Sequence, residues 1–351
     1  MTVASLVVLT IAAAETLTGN WSGARDELAD IGLTFDVAFT TETFYVLPKQ
    51  AGALMGHLDL ALTVDTGKLG LWPGGKLYVL GQVNEGDGVN ALVGSQNEIS
   101  NLEARGFTQV AEAFYEQTLW EERIRFRIGK QDSNRDFGTP RYAGNFINNN
   151  FGMYPTALLP SYPAPGLGAT ATVDPLWWLS LRAAVYQGTP QIGGFSLSPD
   201  EGAIGVGGVA LKHVFPGRHG GTTSLGGWAH TNGEWGVMFQ NDERIYSHPE
   251  NPDDGRGLNF ITRFSWSKTS VFPPLYLGAS LAWHGLWARD NDTVGAGFGY
   301  FQRQGGGEEL FFEVFYKARL THWLSVQPDV QVYRVNEAPS ALFGLRAKLK
   351  I

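Results

Sequence analysis

The chain has no cysteine among its 351 residues. Disulfides and thiolate metal sites are therefore excluded, and the compartment stays open. Charge is sparse: Asp, Glu, Lys and Arg make up 17 %, against roughly 25 % in soluble domains. With 26 Lys and Arg facing 34 Asp and Glu, the formal charge is −8. A nucleic-acid partner needs clustered basic side chains, so none is expected. Long apolar runs are also missing. Past residue 14 no stretch reaches the roughly 18 apolar residues of a membrane-spanning helix. A chain like this can occupy a membrane only as a closed barrel. The seven histidines are scattered, with no HExxH and no GxSxG to suggest a hydrolase. What is plentiful is glycine, 45 residues, and aromatic side chains, 13 %.

The stretch VAEAFYEQTLWEERIRFRIGKQD, from Val110 to Asp132, shows how this composition is used. Ile124, Phe126 and Ile128 alternate with Arg123, Arg125 and Arg127, the period of a strand with two unlike faces. Glu112, Phe114 and Glu116 share one parity of the preceding segment. Folding the stretch at Leu119–Glu122 pairs Glu116 with Arg125 and puts both charged rows on one face. Cross-strand neighbours there lie roughly 4.5–5.5 Å apart, so carboxylates and guanidiniums can meet. In a soluble sandwich the apolar face would be core. In a membrane barrel it meets lipid, and the arginines line a channel.

Taken in order, the chain reads as one all-β unit behind a short leader. Val3–Ala14 carries no charge, and Ala12–Ala14 before Glu15 resembles a signal-peptidase site, although no basic residue precedes it. Residues 1–14 are thus the remnant of a signal peptide. Residues 15–32 form a helical segment, with Asn20 or Ser22 as cap and Gly32 as terminator. From residue 33 to 351 the pattern stays at period two. Strands are expected around Phe35–Phe39, Leu58–Val64, Leu77–Val79 and in the two arms of the Glu–Arg hairpin. Eleven more follow at 166–174, 176–187, 203–214, 222–231, 235–246, 257–268, 275–288, 294–302, 309–320, 324–334 and 341–351. That is about sixteen strands of a transmembrane antiparallel up-and-down barrel. An even count puts both ends of the chain on one, periplasmic, side.

Short turns are expected at Leu119–Glu122, Asp174–Leu176, Ala288–Thr293 and Leu320–Trp323, and long external loops at 85–106 and 132–165. The links at 231–234 and 247–256 break that rule, being respectively short and long. Pro328 inside a strand predicts a bulge. Trp177, Trp178, Trp283, Trp287 and Trp323 fall near strand ends, where interfacial aromatic girdles form. In the last segment Phe343, Leu345, Ala347, Leu349 and Ile351 alternate with Gly344, Arg346, Lys348 and Lys350, the pattern of a closing strand offered to barrel-assembly machinery.

Four segments, LTGNWSGARDELADIGLTFD at 17–36, EAFYEQ with RFRIGKQD within 112–132, RDNDTVGAGFGY at 289–300 and EVFYKARLTHWLSVQPDVQ at 313–331, together resemble the carbohydrate-selective porins (OprB type) of Gram-negative outer membranes. They lie in order over nearly the whole chain after the leader. The resemblance implies a sixteen-stranded barrel with an N-terminal periplasmic helix. It also implies passive diffusion of small sugars such as glucose through a narrow charged and aromatic eyelet. The short 231–234 link and the terminal Ile, where such strands often end in Phe, depart from the pattern.

For a sugar channel the lining must trade water hydrogen bonds for protein ones without holding the solute. Carboxylates accept from hydroxyls and arginine offers five donors. Mixed signs leave no strong field to favour ions, and a millimolar site, about −4 kcal/mol, releases quickly. The candidate lining residues are Glu112, Glu116, Arg123, Arg125 and Arg127 on the hairpin. Glu313, Lys317, Asp329 and Gln331 join them from the C-terminal strands, and Arg135, Asp136 and Arg141 from the long loop at 132–165, which in porins often folds inward. The competing reading is a structural salt-bridge ladder in the wall. Phe114 or Tyr333 could stack on a sugar. No cofactor or metal is expected: Gly205–Ala210 only superficially matches a dinucleotide fingerprint, and Asn251–Gly255 is better read as a turn than as a calcium loop. The partners expected are neutral sugars in transit and outer-membrane lipid, with homo-oligomers left open. The alternatives are a barrel hydrolase or a non-selective porin.

Overall fold

The computed structural model describes residues 15–47, 49–138, 140, 143–214, 220–248, 255–286 and 289–351. The leader at 1–14, Arg141, Trp287 and the 251–254 part of the calcium-loop reading lie outside them. Helix α1 (Ala24–Asp30) is followed by β1 (Leu33–Val46), β2 (Ala51–Asp65) and β3 (Gly75–Gly86). The short α2 (Asn90–Val93) precedes the hairpin β4 (Phe107–Leu119) and β5 (Ile124–Gln131). Two single turns, α3 (Asn134–Phe137) and α4 (Asn149–Gly152), lie in the 132–165 loop. Then come β6 (Gly166–Leu176), β7 (Leu179–Gln187), β8 (Ala203–His213), β9 (Gly221–His230), β10 (Trp235–Ser247) and β11 (Gly257–Lys268). The last five are β12 (Leu275–Leu286), β13 (Arg289–Gln302), β14 (Glu308–Arg319), β15 (Leu324–Val335) and β16 (Ala338–Lys350). Each strand pairs antiparallel with its sequence neighbours, and β16 pairs with β1 to close a sixteen-stranded barrel. Gly205–Ala210 lies inside β8, where no helix follows a phosphate-binding turn.

Alternation sorts the side chains as the sequence requires. Leu60, Ile128, Val185, Phe298, Phe312 and Phe343 are exposed on the outer face. Glu309, Phe311, Glu313 and Phe315 of β14, and Gln327, Asp329, Gln331 and Tyr333 of β15, are buried on the inner face. Closure leaves no sheet edge, so every strand pairs with a neighbour on both sides, as a lipid environment demands. Tryptophans gather at both rims. Trp72, Trp120, Trp177 and Trp178 are exposed at the end that carries α1, and Trp235 and Trp266 meet edge-to-face, 5.1 Å apart, at the other. Trp283 packs against Tyr246 at 5.8 Å.

Several local expectations need correction. The helix starts at Ala24, after a 3₁₀ turn at Trp21–Gly23, and neither Asn20 nor Ser22 caps it; Gly32, with φ +94°, does end it. The hairpin register is Glu116 with Arg127 and Thr118 with Arg125, two residues from the expected one. Trp120, Glu121 and Glu122 all take left-handed φ values (50°, 56°, 67°) in a four-residue turn, and turn geometry sets hairpin register. An even slip keeps every side chain on its face. Asp174–Leu176 stays in β6, which shifts register between Val173 and Leu176. Residues 289–293 of the expected Ala288–Thr293 turn belong to β13. Pro328 causes no bulge. It pairs with Leu345 in unbroken register, and on the β14 side the ladder skips residues 327 and 328 and resumes unshifted. A missing N–H removes a rung without inserting a residue.

Candidate inward loop and lumen wall

The β4–β5 hairpin delivers Glu112, Glu116, Arg125 and Arg127 to the inner wall, and α3 of the next loop lays Arg135 and Asp136 against them. Arg127 bridges two carboxylates, Glu116 Oε2 at 2.7 Å and Asp136 Oδ2 at 2.6 Å. Arg135 donates from Nε and Nη2 to both oxygens of Glu112, at 2.7 and 2.6 Å. Arg125 Nη2 lies 3.4 Å from Asp136. Three guanidiniums thus meet three carboxylates, and the pairs tie the root of the loop to the wall. Aromatic rings back them: Tyr78 stacks on Phe114 at 5.1 Å, and the Arg135 guanidinium carbon sits 4.6 Å from the Tyr78 centroid.

The loop then crosses the lumen. Its tip seats Phe146, Ile147 and Phe151 in an apolar cluster with Phe301, Phe311 and Phe315 of the opposite wall. Three inward positions of β13 are glycine for this reason. A Cβ at Gly295, Gly297 or Gly299 would stand 2.4 Å or less from the rings of Phe315, Phe151 and Phe311. Glu313 holds the tip by accepting the Ile147 and Asn148 backbone N–H groups, at 2.8 and 3.0 Å. Asn148 donates to Gln331, which itself donates to Asp329 at 2.9 Å. Lys317 donates to Asn145 Oδ1 at 2.9 Å. Farther back, Arg263 donates to the Phe151 and Gly138 carbonyls, both at 2.8 Å.

The structure therefore divides the expected lining residues. Arg125 and Arg135 keep 39 % and 35 % of their side chains open to the lumen, whereas Arg127, Glu112 and Asp136 keep 7 %, 4 % and 2 %. Glu313, Asp329 and Gln331 are buried under the loop they anchor. Arg123 is not in the ladder. It falls in the 120–123 turn at the helix-bearing rim, where its backbone closes the hairpin. Phe114 is covered by arginine and Tyr78, and Tyr333 is wholly buried against Asn148, so neither offers a stacking face. Residues that the sequence did not single out as lining border an open recess as well. Asp59, Tyr78, Gln82, Lys348 and Lys350 border a recess of about 600 Å³. Their inward parity was legible; their convergence from three strands, β2, β3 and β16, was not.

Two loop carboxyls are tuned by burial. Glu103, in the 87–106 loop, accepts the Asn90 N–H at 2.6 Å. Desolvation, helped by Glu98 and Glu42, pushes it to about 7. Desolvation, then Glu112, pushes Asp132 at the root of the inward loop to about 6. Both values lie above the ordinary carboxylate range, so docked loops bind more protons than free ones between that range and neutrality. Docking is then strongest at acid pH and weakens as pH rises through about 6 and 7. Amide exchange in 87–106 and 132–165, corrected for intrinsic rates, should be faster at pH 8 than at pH 5. Glu103→Gln should flatten the trend in the first loop, and slower exchange at the higher pH would contradict it.

A closed barrel with an apolar outside, a polar inside and a loop folded across its lumen is a membrane channel of the porin class. The chain matches the family model of the carbohydrate-selective porin, OprB family, at residues 49–232 and 215–350, and it belongs to that family. It is an outer-membrane channel for carbohydrates, a channel rather than an enzyme by family and fold. Its fold is similar to that of OprB from Pseudomonas putida at high pH, with a TM-score of 0.87 at 17 % identity, over 97 % of this chain and 99 % of that one. The low-pH structure of the same protein gives 0.72 at 18 % identity and the same coverage. OpdK from Pseudomonas aeruginosa gives 0.57 at 10 % identity, over 91 % of this chain and 98 % of that one. No curated protein sequence matches.

Proposed function

We propose that small neutral sugars such as glucose diffuse passively through this lumen. Their selective contact is the place where the inward loop leaves the β4–β5 wall. The observation that carries this reading is the charge balance there: three guanidiniums and three carboxylates in two ion-pair groups that meet over the Phe114 ring, with only Arg125 and Arg135 substantially open to water. A hydroxylated solute meets guanidinium donors and the Tyr78 ring, and little net field draws ions in its place. On this reading residues 1–14 are a leader, 15–32 a periplasmic segment and 33–351 the barrel. The rim that carries α1 faces the periplasm, and the 87–106 and 132–165 loops enter from outside. β16, with Phe343 and Leu345 outward, is the strand engaged by barrel-assembly machinery.

Arg125→Ala tests the assignment. Losing one exposed donor is worth about 0.5–1.5 kcal/mol, so swelling of proteoliposomes in glucose relative to charged solutes should change about two- to tenfold. Heat-modifiable gel mobility should remain. Unchanged rates for every solute would remove Arg125 from the eyelet.

A further inference from the structure

The lumen holds a second, differently charged surface at the rim that carries α1. Lys317 and Arg319 of β14 and Lys348 and Lys350 of β16 line a recess of about 270 Å³, together with Asn145, Asn291, Thr293 and Ser325, and no carboxylate among the described residues contributes to it. All four cations have the inward parity set by Glu313, Phe315 and Gly344. Among the described residues no ion pair involves any of them. Arg346, their neighbour, is by contrast neutralised by Glu42. Lys348, Arg346, Arg319 and Lys350 all lie close enough to repel the Lys317 ammonium. Lys348 and Lys350 also border the adjoining recess, whose lining includes Glu15, Asp36 and Asp59; Asp59 attracts Lys348 from there, but it already accepts from Gln82 and contacts His57. Positive charge is thus concentrated in the β14–β16 recess, with the carboxylates in the adjoining one.

We propose that this recess is a binding site for sugar acids, taking the carboxylate on the lysines and the hydroxyls on the Asn, Thr and Ser side chains. A neutral sugar has no use for four cations gathered on one wall with no ion pair among the described residues. A solute that brings one negative charge relieves their mutual repulsion, and in a confined lumen that attraction is only partly screened. Lys317 fixes the site's position: its bond to Asn145 places the ammonium directly against the tip of the inward loop. A captured sugar acid would therefore sit beside the narrow part of the channel.

This inference rests on the reading that sugars traverse the lumen, and one experiment separates the two. Single channels in a planar bilayer, in about 0.1 M KCl, are exposed to glucose, to glucuronate (the same ring with a carboxylate in place of the hydroxymethyl group) and to acetate. Glucuronate should reduce the current at about one-tenth the concentration of glucose, as about 1.4 kcal/mol of added attraction gives. Its advantage should fade at about 1 M KCl, where the Debye length falls from about 10 to about 3 Å. In an Arg319→Gln/Lys350→Gln variant the glucuronate-to-glucose ratio should approach one, while the salt dependence of the parent protein tests the proposal without any substitution. Equal block by glucose and glucuronate overturns the proposal and leaves the sugar channel standing. Block by acetate as strong as by glucuronate overturns it in favour of a plain anion site. Conductance with no block by either sugar overturns both readings.

Discussion

Glu313→Ala is expected to widen the channel and weaken its discrimination by size. The carboxyl is the acceptor for two backbone N–H groups at the loop tip, at 2.8 and 3.0 Å, in a site closed to solvent. Alanine leaves both donors buried and unpaired, at about 1–3 kcal/mol each. Each 1.4 kcal/mol is tenfold in the docked-to-undocked ratio, so the undocked loop should become a large population. The Phe146–Phe151 cluster remains and keeps the barrel wall itself unaffected. Single-channel conductance should rise, and the difference in swelling between mono- and disaccharides should shrink. An unchanged conductance would mean that the aromatic cluster holds the loop without Glu313.

Arg127→Ala should give the largest loss of stability in the wall. Its guanidinium is almost wholly buried and serves Glu116 and Asp136 at once. Removing it leaves Glu116 and Asp136, the latter 2 % exposed, with only the longer Arg125 contacts at 3.9 and 3.4 Å, and breaking such a buried pair costs about 3–5 kcal/mol. The temperature at which the folded, fast-migrating gel band disappears should fall clearly below that of the parent. Arg127→Lys should not restore it, because an ammonium is a point charge and cannot bridge two carboxylates as a planar fork does. Arg125→Ala, at a half-open position, should hardly move that temperature. If Arg127→Ala and Arg125→Ala shifted it equally, the distinction between buried scaffold and exposed lining would be wrong.

The wall of this protein was legible in the sequence because each barrel strand writes its two faces residue by residue. Ile128 and Arg127 declare lipid and lumen without knowledge of any other strand, and the same alternation marked all sixteen strands. Register was less accessible. Parity cannot tell Glu116 opposite Arg125 from Glu116 opposite Arg127, since both keep the face; the three left-handed residues at Trp120–Glu122 decide it. Parity also assigned Arg123 to the lumen although the turn had already begun there. The site itself was legible only in part. The Glu–Arg ladder was visible because its members are near in sequence. The anchoring role of Glu313 was not, since its partners Ile147 and Asn148 lie 166 and 165 residues away and leave no local pattern. The glycines of VGAGFGY read as strand residues, but their purpose appears only when Phe146 and Phe151 arrive from the loop.

The central claim is that acyl chains surround this chain while water and sugar fill its middle. Swelling of vesicles containing the heat-modifiable, folded protein in iso-osmotic glucose tests it most directly. The account predicts rapid swelling in glucose, slower swelling in larger oligosaccharides, and none in vesicles without protein. Vesicles with folded barrel that swell in glucose no faster than empty ones would contradict it.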